Sequence, residues 1–133
     1  MDSSAAMKLV RPERHSDRLS AWLAERREMH VLSSVLVEVE LIRATRRIAP
    51  DRLTRAGDVL RGIGVVALSS SVVARAAAYG ERDLRSLDAI HLATAEHVVT
   101  TSLRALEAFV AYDERLLAAA AAAGLPIVAP GFA

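Results

Sequence analysis

Four short apolar runs punctuate this chain: "MHVLSS" at 29–34, "VVALS" at 65–69, "AFVAYD" at 108–113 and "LPIVAP" at 125–130. Each is too short for a helix, and longer stretches with helical spacing separate them. Parallel strands need a crossover of about a dozen or more residues, usually a helix, and strands buried on both faces read as unbroken apolar runs. The pattern predicts an α/β domain over 1–133, with a short parallel sheet flanked by helices on both faces.

The stretches between the runs support this. "RPERHSDRLSAWLAERRE" places Leu19, Trp22 and Leu23 on one face of an amphipathic helix. "SVLVEVELIRATRRI" is apolar almost all round, which implies burial on most sides. "PDRLTRAGDVLRG" enters at Pro50 and ends near Gly62, and "SSVVARAAAYG" runs from a Ser cap to Gly80. "SLDAIHLATAEHVV" and "ERLLAAAAAAG" supply two more helices, the second stopped at Gly124. With 4% aromatic residues in a chain that is 53% hydrophobic, the core must be aliphatic and Ala-rich, which suits closely packed helices.

Charge excludes a global attraction to nucleic acid or anionic membranes: 17 basic against 16 acidic residues leave +1. All the basic residues but Lys8 are Arg, which favours bidentate contact with phosphate or carboxylate. No cysteine is present, so disulfides and thiolate metal sites are ruled out. "MDSSAAMKLV" lacks the basic-then-apolar order of a signal peptide, and Gly124 and Pro126 interrupt the uncharged tail before it could span a membrane. The expected location is the cytoplasm.

The chemistry of the chain lies in its acids. In "LRSLDAIHLATA", at 84–95, Ser86 is positioned to cap a helix and Asp88 to face the unpaired N–H groups of its first turn. Asp2 lies near the chain start, and Asp113 ends the third run, where it also suits the cap of the next helix. Glu38 and Glu40 are embedded in an apolar helix, where a carboxylate is costly unless paired or bound to a cation. Two residues apart, they point to different sides, and spacing alone does not choose between them. If such acids converge, their oxygens select a hard cation, Mg²⁺ or Mn²⁺, suited to hydrolysis of a phosphate ester.

Four segments together carry a resemblance. "MDSSAAMKLV", "SSVLVEVELIRA", "LRSLDAIHLATA" and "FVAYDERLLAAA" resemble, in order and spacing, the acid motifs of PIN domains, and most closely those of the VapC-type toxins of VapBC toxin–antitoxin pairs. The resemblance implies a PIN-like fold and a Mg²⁺- or Mn²⁺-dependent endoribonuclease acting on structured RNA. It implies an acidic site of Asp2, Glu40, Asp88 and Asp113, with Glu40 preferred over Glu38 because "LIRA" follows it. It further implies a homodimer held inactive by a VapB-type antitoxin.

Two departures stand out. The family normally has an apolar strand before its first acid, whereas only Met1 precedes Asp2, so the first strand reads as truncated, as a misassigned start codon would explain. Ala111 stands where the family often has Thr or Ser, removing a hydroxyl able to hold a metal-bound water. Both favour an alternative, a catalytically impaired domain that serves as an antitoxin-binding or dimerising module. Arg43, Arg46 and Arg47 open a basic stretch suited to RNA phosphates. His91 reads as a core histidine on the helix face of Asp88, Tyr112 as a core aromatic with base stacking the other reading, and Ser3 and Ser4 as supports for Asp2.

Overall fold

The computed structural model describes residues 1–132. Helices α1 (Ser3–Val10) and α2 (Ser16–Ala24) lead into strand β1 (Leu32–Ser34). Helix α3 (Leu36–Ile48), a 3₁₀ turn at Pro50–Arg52 and helix α4 (Leu53–Arg61) connect β1 to β2 (Gly64–Val66). Helices α5 (Ser70–Ala78) and α6 (Ser86–Thr101) precede β3 (Phe109–Val110), and α7 (Glu114–Ala122) crosses to β4 (Ile127–Val128).

Each predicted run forms a strand, and every pairing is parallel: Leu32 opposite Gly64 through Ser34 opposite Val66, and Phe109 opposite Ile127 with Val110 opposite Val128. The expected single sheet is instead two two-stranded sheets. Met1 and Asp2 stand between them. The Met1 ammonium donates to the Leu32 carbonyl at 2.9 Å, and the Asp2 N–H donates to the Val110 carbonyl at 3.1 Å. Each sheet thus meets the start of the chain through a single backbone hydrogen bond, where a strand would supply a ladder.

Helix α1 is an addition to the sequence reading. Eight residues are marginal as an isolated helix. The Asp2 cap and the packing of Ala6, Met7 and Val10 against Val37 and Leu41 of α3 and Ala56 and Val59 of α4 hold it. A second apolar cluster joins Leu92 of α6, Phe109 and Ala111 at β3, and Leu116, Leu117, Ala119 and Ala120 of α7. Ala5, Leu19 and Val110 link α1 and α2 to β3. No helix among the described residues is long and apolar enough to cross a membrane.

Candidate active site

Asp2 is the N-cap of α1: its Oδ1 accepts from the Ala5 N–H at 3.0 Å, and both carboxylate oxygens receive the Ser4 hydroxyl, at 2.8 and 2.7 Å. It is 3% exposed, and burial pushes its pKa up against the opposing pull of these hydrogen bonds. Ser4 Oγ also accepts the Tyr112 N–H at 3.1 Å, which ties the first turn of α1 to the segment after β3. Glu40 enters from α3. Its Oε2 accepts the Ser3 hydroxyl at 3.1 Å, and its Oε1 lies 2.6 Å from His91 Nε2. Glu38 is exposed on the same helix.

Asp88 lies in the first turn of α6, as the sequence indicated, but the cap differs from expectation. Arg85 holds the N-cap position with extended backbone and makes no side-chain cap bond, and Ser86 is the first helical residue. Asp113 caps α7 through Oδ1, which accepts the Leu116 N–H at 3.0 Å. The Arg85 guanidinium spans both acids: Nε donates to Asp88 Oδ2 at 2.8 Å and Nη2 to Asp113 Oδ2 at 3.2 Å. The bond to Asp88 and the neighbouring negative charges raise the guanidinium pKa still further.

All four acids line one cavity of about 400 Å³, together with Ser3, Ser4, Arg85, Ser86, Leu87 and Tyr112. The donor set is oxygen only, which suits a hard divalent cation. As placed, however, no three metal-ligating side chains among the described residues converge into a cage. Every acid is already held by a donor of the protein, and Asp88 and Asp113 share theirs.

Arg43, Arg46 and Arg47 are exposed on α3 and line no part of this cavity. His91 is both core and site: its side chain is 2% exposed and its Nε2 faces Glu40. Tyr112 lines the cavity, but its ring stacks on His15 at 5.8 Å between centroids, with the Lys8 ammonium 4.6 Å from its centroid, so a base would have to displace these partners. Ala111 is fully buried in the apolar cluster around Leu92 and does not line the acidic cavity. Arg85 is the residue that sequence reasoning missed. Its spacing of three from Asp88 on a helix start was a visible signal; its reach to Asp113 was not.

The PIN domain family model matches residues 1–122. Ribonuclease VapC35 of Mycobacterium tuberculosis (strain ATCC 25618 / H37Rv) is 44% identical over 131 residues, which cover 98% of this chain and 96% of that protein. Ribonuclease VapC47 of M. tuberculosis (strain CDC 1551 / Oshkosh) is 37% identical over 134 residues, with the same coverage of each chain. Ribonuclease VapC46 of the H37Rv strain is 32% identical over 130 residues, 98% of this chain and 95% of its own length. No solved structure matches.

Proposed function

The chain belongs to the PIN-domain family, among its VapC-type ribonucleases, and from that premise we propose that it is a toxin endoribonuclease that hydrolyses structured RNA with Mg²⁺ or Mn²⁺. Asp2, Glu40, Asp88 and Asp113 are the residues that hold the metal. The observation that supports this reading is that these four, drawn from four separate segments, line one cavity. When bound, the ion supplies a lowered pKa for attacking water and screens the negative charge of the phosphate. The protein supplies position. Ser4 and the Ala5 N–H fix the carboxylate of Asp2, Ser3 and His91 fix that of Glu40, and the Leu116 N–H fixes that of Asp113.

Hydrolysis leaves a 5′-phosphate and a 3′-hydroxyl. Arg43, Arg46 and Arg47 contact RNA phosphates outside the cavity. A VapB-type antitoxin, a homodimer and a cytoplasmic location complete the proposal. The alternative, a catalytically impaired module that binds the antitoxin or dimerises, is favoured by one observation: Arg85 is paired with both Asp88 and Asp113, and no three metal-ligating side chains among the described residues converge.

Purified protein incubated with bacterial RNA in Mg²⁺ or Mn²⁺, and in EDTA, decides between them. Cleavage that needs the metal and falls by about 100-fold or more in Asp88→Asn supports the nuclease, since a metal contributes several kcal/mol to such a transition state. A folded variant that still cuts RNA ends the assignment of Asp88. A folded wild-type protein with no cleavage and no metal-dependent stabilisation selects the module.

A further inference from the structure

Among the described residues, Arg85 is the one permanently charged side chain paired with any of the four acids. It touches two of them at once, one from α6 and one from the cap of α7. Its own side chain is 66% exposed, whereas those of Asp88 and Asp113 are 14% and 28% exposed. The guanidinium therefore covers the two carboxylates from the solvent side. Its backbone is fixed at the N-cap of α6, but the long side chain is held only by these two ion pairs.

A divalent cation and a guanidinium compete for the same carboxylate oxygen, because the two positive charges repel at contact distance. We propose that Arg85 is a built-in counter-cation of the acidic cavity, which neutralises Asp88 and Asp113 in the metal-free protein and is displaced when a divalent ion binds. This rests on the reading of those acids as metal ligands. It explains why the four acids line one cavity without forming a ready cage: Arg85 takes Oδ2 of both Asp88 and Asp113, and those two oxygens turn to a cation when it swings out. The exposed position keeps the exchange easy, since ion pairs in water are weak and release without melting the fold.

The test is Mn²⁺ binding to the full chain without RNA, followed by calorimetry, in wild type, Arg85→Gln, Arg85→Lys, Arg82→Gln and Asp88→Asn. Arg85→Gln removes the charge and is expected to bind Mn²⁺ about three- to tenfold tighter. Arg85→Lys keeps the charge and stays nearer wild type. Arg82 is exposed, three residues upstream, and pairs with none of the four acids, so Arg82→Gln changes affinity by less than about twofold. Unchanged or weaker binding in Arg85→Gln overturns the proposal, as does equal tightening in Arg82→Gln, which would mark a general charge effect. If Asp88→Asn loses binding while Arg85→Gln gains none, only the role of Arg85 fails. If wild type binds no Mn²⁺, or Asp88→Asn binds it equally well, the metal-site reading fails first and takes this proposal with it.

Discussion

Asp2 and Asp113 perform the same local task in opposite surroundings. Each caps a helix by accepting the N–H three residues ahead, at 3.0 Å in both cases. Beyond that the two diverge. Asp2 is buried, and its remaining capacity goes to Ser4, a neutral donor fixed within the same turn. Asp113 is partly exposed, and its second oxygen goes to the exposed guanidinium of Arg85. The acidic cavity thus has two halves distinguished by their donors: an inner one, Asp2 and Glu40, held by neutral hydroxyl and backbone donors and a buried histidine, and a rim one, Asp88 and Asp113, bridged by one exposed cation, with Asp113 also capping α7. Exposure does not follow the split, since the side chain of Asp88 is 14% and that of Glu40 21% exposed.

The strongest way to break this comparison is to remove one capping acid from each half. Asp2→Ala and Asp113→Ala are each expected to lower cleavage by about 100-fold or more, because both remove a proposed metal ligand. Stability should separate them. Asp113→Ala loses a helix cap, about 1 kcal/mol. Asp2→Ala loses a cap and also strands a partly buried Ser4 hydroxyl, for a total of about 2–3 kcal/mol. Chemical denaturation in EDTA measures the difference. Equal losses would mean that the inner half is no more part of the fold than the rim.

A smaller effect tests the second inner acid. His91 forms no hydrogen bond or ion pair with Asp88 or Asp113, and its bond to Glu40 joins α6 to α3 across 51 residues. His91→Ala is expected to reduce cleavage about 10-fold or more, the usual cost of losing the partner that orients a metal ligand. His91→Gln keeps a donor and should recover part of that loss at equal metal concentration. If Gln and Ala behave alike, His91 acts through packing alone.

Much of the fold and the acids themselves were legible because they depend on local chemistry. Apolar runs of strand length between helical stretches gave the element order, acids at element ends gave Asp2, Asp88 and Asp113, and a carboxylate embedded in an apolar helix gave Glu38 or Glu40 as the fourth candidate. What stayed hidden depends on contacts across the chain. Spacing alone leaves Glu38 and Glu40 equivalent and only the resemblance favours Glu40; the physical reason, Ser3 and His91 brought to it by α1 and α6, lies in such contacts. Arg85 reads locally as a partner for Asp88, yet its contact with Asp113 spans 28 residues and follows from how α6 and α7 pack. The division into two sheets has the same origin. Spacing identifies strands one at a time, whereas whether β1 and β3 are joined depends on what stands between them, and here that is Met1 and Asp2.

The smallest expected effect lies outside both halves. Arg43, Arg46 and Arg47 are exposed on α3, the helix that carries Glu40, and touch none of the four acids. Replacing all three with Ala should leave metal affinity unchanged and the fold within about 0.5 kcal/mol per site, as for ordinary surface substitutions. If they contact phosphates, RNA affinity weakens uniformly across sequences, and the slope of log affinity against log salt drops by about 1 for each phosphate no longer neutralised. A slope that does not move assigns these arginines to solvation of α3.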